Sequence, residues 1–423
     1  MAGGTPGTPP AAEPPVGAST APVVYVGSNG AVDDGAGLGA ALKQARSAQT
    51  RLVVRGALTV RSPTGLRSGD TLEFDNASVT IGYSGNIFTA AGQANLTMRG
   101  TLAVRGGKSQ GFAGNGWLLL GCSAVRFDWQ CQCSDFSFAP SKFLILAAAN
   151  GAAGGDGFVL SGATITTDST VVNMTDWSNV DISGVQSPRG GMTGPSPVAV
   201  VNIKSDTAAG PVHGITIHDC QIDGGAVQKI SGLITVKGTV GAGNIHDVTL
   251  KNLALRNTCP VPGPGLLDAC DVIGATGVVI DRVTGDTAFH GVGCIASRAT
   301  ITNVVFERLN GRAVAVGDAA VQGENISDVT VTDCVGTDCG QSTLGAGGSG
   351  FIVASSPNFR VDRVTFTGCR TRDTTGHSQR YGFQITAHGS VSDVQLVGGE
   401  YAGFGQSIFN PTGASLTVRG AKV

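Results

Sequence analysis

Three residues at equal spacing carry the clearest chemical suggestion in this sequence: Asp268, His290 and Arg312 stand 22 residues apart. An acid, an imidazole and a guanidinium set in a row supply the parts for binding and turning over an acidic or neutral sugar. Hydrolysis of a glycoside needs two carboxyl groups, about 5–5.5 Å apart for retention and about 6.5–9.5 Å apart for inversion. Asp271, Asp286 and Glu307 are the candidates to partner Asp268. Asp271, three positions on in the same strand, is expected to point to the opposite face. Asp286 leads into the loop carrying His290 and is the preferred partner. A lyase needs instead a base and a charge stabiliser, roles open to His290 and Arg312. A second cluster, His377, Gln379, Arg380 and Tyr381, offers a ring face for sugar stacking and a guanidinium for a carboxylate. For each of these residues a solvated coil corner or loop is the plain alternative.

What would position them is a repeated six-residue phrase. It reads VDISGV from Val180, ITIHDC from Ile215, VTLKNL from Val248 and VVIDRV from Val278, then VVFERL from Val304, VTVTDC from Val329, VTFTGC from Val364 and VQLVGG from Val394. The starts are 35, 33, 30, 26, 25, 35 and 30 residues apart. Within each phrase apolar and polar residues alternate, the mark of a strand with one buried face. The third column holds Ile182, Ile217, Leu250, Ile280, Phe306, Val331, Phe366 and Leu396. One period is too short to make a core, so successive periods must stack. A second strand precedes the phrases, as in LITVKG from Leu233, ACDVIG from Ala269 and GFIVAS from Gly350.

Helical repeats are excluded because 3.6-residue periodicity is absent. The 65 glycines in 423 residues, about twice the ordinary share, favour turns and strands. A variable period suits a single-stranded right-handed parallel β-helix, an all-β fold whose corner loops absorb insertions. About a dozen coils are expected, with a rod length near 55 Å at about 4.8 Å per coil. LGAALKQARSA, from Leu38, is the one convincing helix and is expected to cap the open end of the rod. The expected division is an extended Pro/Gly/Ala arm (1–22), an entry segment with the capping helix (23–60) and the β-helix (61–423).

The formal net charge is −2, with no Lys/Arg cluster, which argues against nucleic-acid binding. No run of 18 apolar residues is present, so no membrane insertion is expected. Residues 1–22 lack the basic start and apolar stretch of a signal peptide. Cys220, Cys334 and Cys369 share a column with Val and Leu, so they read as buried free thiols. With no CxxC pair or His doublet, no metal or cofactor is expected. GGDG at Gly154 occurs once and reads as a turn.

GAVDDG from Gly30, AALKQA from Ala40 and RLVVRGALTV from Arg51 together resemble the pectate-lyase-like entry segment of phage tailspikes and related polysaccharide-processing proteins. The second acidic pair usual before the helix is missing. The resemblance implies a bacterial surface polysaccharide as partner, a homotrimer, and a virion-tail location reached through residues 1–22. Leu266 to Gly317 is also similar to polygalacturonase-type glycoside hydrolases, with Asp268 at that family's strand-entry Asp. The family's Asp-Asp pair falls on His290-Gly291, its Gly-His-Gly on Gly311-Arg312-Ala313 and its Arg-Ile-Lys on Ile352-Val353-Ala354, so one catalytic position is kept. The resulting expectation is a tailspike-like protein that binds and depolymerises a bacterial polysaccharide, with Asp268, Asp286 and His290 catalytic and Arg312, His377, Arg380 and Tyr381 substrate-binding. The rivals are a non-enzymatic structural or adhesive virion protein and a free extracellular polysaccharide hydrolase or lyase.

Overall fold

Each phrase turns its first and third side chains inward, and the structure stacks these side chains in register. A computed structural model describes residues 21–423 apart from 137–142, 151–152, 166–169, 188–198, 207–210, 225–231, 240–243, 257–267, 287–289, 318–323, 341–347, 377–378 and 404. The expected arm, up to residue 20, and His377 lie outside the described residues. Leu52, Leu72, Met98, Phe127, Leu160, Ile182, Ile217, Leu250, Ile280, Ile301, Val331, Phe366, Leu396 and Val418 form one parallel column across fourteen rungs. All but Val418, at the end, are fully buried. At about 4.8 Å per rung the rod is about 60 Å long, somewhat longer than a dozen coils give.

One rung shows how the chain winds. Residues 268–273 form a first face, 275–281 the phrase face, and 284–286 a short third face. All three belong to the strand Asp268–Asp286. The next rung repeats the first two faces in His290–Thr302 and the third in Val305–Glu307. This places one phrase differently from the sequence reading. The residues over Val278 and under Val329 are those beginning at Ala299, not Val304. Residues from Val304 belong to the third face, where Phe306 pairs with Gly285 and Gly336. Both faces share the same apolar alternation, so the pattern alone does not separate them.

The corners are fixed by left-handed backbone. At the fifth position of the phrase, Gly184, Asp219, Asn252, Arg282, Asn303 (counted from Ala299), Asp333, Gly368 and Gly398 all have φ between 51° and 65°. Non-glycine residues are uncommon in this region, and Asn and Asp tolerate it best. Where longer side chains occupy it, they bond along the rod: Asn252 Nδ2 donates to Asp219 Oδ1 at 2.9 Å and Arg282 Nε to Asn252 Oδ1 at 2.5 Å. Arg363 does the same at the preceding corner, with Nε and Nη2 on Asp328 at 2.6 and 2.9 Å.

The end of the rod is closed as expected by a helix, Asp34–Ser47, which buries Leu38, Leu42 and Ala45. Asp33 caps it by accepting from Gly35 N at 2.9 Å. Asp34 is wholly buried and accepts from Ser28 N at 2.9 Å, Thr59 N at 2.7 Å and Tyr25 Oη at 2.8 Å. The acidic pair is therefore a structural clasp between entry strand, helix and first coils.

Cys220, Cys334 and Cys369 lie in the interior as free thiols. Burial pushes the Cys220 thiol up to about 12. All three are predicted to resist thiol reagents until the protein is denatured, and rapid labelling of the native protein would refute the stacked core. Leu253, whose rung neighbour is Cys220, is fully packed, so Leu253→Ala should cost about 2–5 kcal/mol in denaturant unfolding.

Candidate active site

On the first face of the rungs, residues of one parity point into the core, as Cys270 and Val272 do. Their neighbours Asp271 and Ile273 therefore face outward. Asp268 opens this strand, His290 opens the next, and the two pair directly across the rungs. Val292 pairs with Val314, which sets Arg312 one rung beyond His290. The 22-residue spacing thus corresponds to successive coils. Asp268, Asp271, His290, Gly293 and Arg312 line one shallow groove with Ile273, Ile295 and Ala315. The space between them is about 20 Å³, room for about one water-sized group.

Asp271 departs from the expectation that it points away from Asp268. As the first residue of its strand, Asp268 sits at a coil corner, where strict alternation does not yet apply. Asp271 pairs with Gly293, which has no side chain to fill the outer face. A Cβ placed on Gly293 would lie 2.5 Å from Asp268 Oδ2 and 2.7 Å from Asp271 Oδ1. Those two oxygens are therefore at most 5.2 Å apart, the sum of the two distances. Gly293 is the residue that lets the carboxylates converge. Its one sequence signal was an outward strand position occupied by glycine.

Asp268, Asp271 and His290 are 8%, 6% and 6% exposed, so the groove is drier than a coil corner in solvent. Burial, helped by the positive charge of Arg312, holds His290 well below the ordinary imidazole range. The ring is neutral at pH 7. The backbone N–H of Arg312 donates to His290 Nδ1 at 3.1 Å, so the ring proton sits on Nε2. His290 is thereby arranged as a hydrogen-bond donor.

The structure does not bring Asp286 into this groove. Asp286 lies on the third face, paired in register with Arg256 and Glu307. Its carboxylate bridges Arg256 at 3.1 Å and Arg308 at 2.9 Å. The reason is the phrase face, which intervenes between 273 and 284 and turns the chain through two corners. Asp286 instead lines a separate open groove with Gln221, Asp223 and Arg256. Of the second cluster, Gln379 is fully buried and bonded to Cys339 N and Ala402 O. Tyr381 is buried and stacks on Phe409 at 4.3 Å, with the Arg380 guanidinium 5.2 Å from its ring centre. Its ring packs within the protein, and among the described members of the cluster Arg380 is the exposed one.

No protein-family model matches the sequence, and no curated protein matches it. Among solved structures, the A-module of the Azotobacter vinelandii mannuronan C-5 epimerase AlgE6 is similar, with a TM-score of 0.51 at 13% identity over 93% of this chain and 96% of that one. The fold is a right-handed parallel β-helix. Weaker likenesses are to the Dettilon tailspike protein, with a TM-score of 0.41 at 9% identity over 94% of this chain and 68% of that one, and to an alginate lyase from Paenibacillus, with a TM-score of 0.35 at 12% identity over 87% of this chain and 99% of that one.

The buried imidazole makes stability depend on pH with a definite sign. Below the ordinary histidine value of 6.5, the unfolded chain takes up a proton that folded His290 refuses. Its contribution is full above that pH and is lost as pH falls toward the depressed folded value. Thermal or urea unfolding should therefore weaken from pH 7 to pH 5 by up to about 1.4 kcal/mol per pH unit from this group. His290→Gln should flatten that part of the profile, and an unchanged slope in the variant would contradict the assignment.

Proposed function

We propose that this protein binds a bacterial surface polysaccharide along the first-face groove and cleaves it hydrolytically, as a tailspike-like depolymerase. The observation that carries the reading is the convergence of Asp268 and Asp271 over Gly293, with oxygens at most 5.2 Å apart. A separation of 5.2 Å or less lies below the about 6.5–9.5 Å that inversion uses and so favours double displacement. One carboxylate attacks the anomeric carbon while the other donates a proton to the departing glycosidic oxygen. Water, deprotonated by that second group, then releases the glycosyl ester. His290 donates from Nε2 to a sugar oxygen, and Arg312 binds a hydroxyl or carboxylate of the substrate. A homotrimer on a virion tail, attached through residues 1–22, belongs to the same reading and is supported by the resemblance of the entry segment.

An adhesive rod that binds glycan without cleaving it is the second reading. The observation favouring it is the low exposure of Asp268, Asp271 and His290.

The deciding experiment incubates the protein with panels of capsule and lipopolysaccharide and follows new reducing ends and new unsaturated ends. Hydrolysis predicts reducing ends without unsaturation. Asp268→Asn and Asp271→Asn should each lower turnover by about 10²–10⁴-fold while leaving glycan binding and the melting temperature nearly unchanged. Unsaturated ends would replace hydrolysis by elimination, and full activity of Asp268→Asn would remove this groove from the chemistry.

A further inference from the structure

The outward side of the first face is not uniform along the rod, and the carboxylate pair marks where it changes. Toward the C-terminal end the outward positions are Ala315, Ile352 and Ala354, a small apolar cluster of its own that is 7%, 2% and 0% exposed. Toward the N-terminal end the same positions are polar, with Thr235 buried and Asn202, Asn173, Lys237 and Lys204 half-buried. Asp271 pairs with Thr235, Thr235 with Asn202, and Asn202 with Asn173. Two residues along each strand, Ile273 is followed by Lys237 and then by Lys204.

Lys237 and Lys204 are direct register partners on adjacent rungs, with backbones about 4.8 Å apart. Like charges set opposite each other on neighbouring strands are destabilising. The one described carboxylate beside them is Asp206, 3.2 Å from Lys204 in an exposed pair of the kind that contributes about 0–1 kcal/mol. Thr235, in the outward column beside Asp271, holds a buried hydroxyl with no partner among the described residues. Asn202 Nδ2 donates to Asn173 Oδ1 at 2.6 Å, which orients two amides along the same line. These features fit a ligand that brings negative charge at the lysines and hydroxyl groups at the amides.

We infer that Lys204 and Lys237 are subsites for an acidic polysaccharide, which runs from the Asp268–Asp271 pair toward the N-terminal end of the rod. A pyranose ring is nearly as long as one rung, so a uronate chain lying along this face brings carboxylate within reach of the paired ammonium groups. This inference rests on the polysaccharide reading above and narrows it to anionic glycans.

The test is electrophoresis of the full chain through native gels carrying polygalacturonate, alginate or neutral dextran, at low and high salt. The wild type should be retarded by a polyuronate and not by dextran, and salt should weaken the effect. The double variant K204Q/K237Q should raise the apparent Kd about tenfold or more, while K204R/K237R should keep most of the binding. Absence of polyuronate binding by the wild type would overturn the inference, as would equal retardation of K204Q/K237Q or equal binding to dextran. The two readings fail separately. Lysine-dependent polyuronate binding without any cleavage sustains the subsites and removes the hydrolysis. Cleavage of a neutral glycan, unaffected by K204Q/K237Q, does the reverse.

Discussion

Everything in this molecule depends on in-register parallel stacking of rungs. No single rung buries a core, because each contributes only a few inward side chains, and the fourteen-residue column from Leu52 to Val418 exists only once they are stacked. Backbone groups of one rung are satisfied by the rungs on either side. Only the ends of the rod need special cover, and the helix Asp34–Ser47 supplies it at one of them. The same constraint shapes the corners, where a left-handed residue recurs on most rungs of the phrase face. Asn, Asp and Gly take most of these positions, and Arg282 and Arg363 hold theirs by bonding to acceptors one rung away.

Stacking also converts sequence spacing into distance along a line. Residues 22 apart become neighbours when a coil is that long, which is how Asp268, His290 and Arg312 come to share one groove. The groove owes its shape to an omission. Glycine at position 293 leaves open the space a side chain would fill, and two carboxylates from the preceding rung turn into it. The dryness that packing imposes there keeps His290 neutral, which separates its part from that of the acids.

The face then changes character on either side of this point, from lysine, asparagine and threonine to alanine and isoleucine. A solenoid allows such grading because each rung packs only against its neighbours. Outward positions on one rung are free to differ from those on the next without disturbing the core. The face is for this reason graded, with a polar half whose lysines and asparagines are half-buried and an apolar half that is buried.

The repeat, its strand alternation, the buried cysteine columns and the capping helix were all legible in the sequence, because each follows from local periodicity that any stacked arrangement must respect. The equal spacing of Asp268, His290 and Arg312 was legible for the same reason. What periodicity could not decide was phase. The phrase at Val304 carries the alternation of its neighbours yet lies on the third face, since two faces of a coil obey one rule. Asp286 was set apart from Asp268 by the two corners between them, and Asp271 was brought to it by a corner and a missing side chain. Local sequence determined which residues alternate between core and surface. Only the tertiary stack decided which surface residues meet, because that depends on where each coil turns and on what the next rung leaves empty.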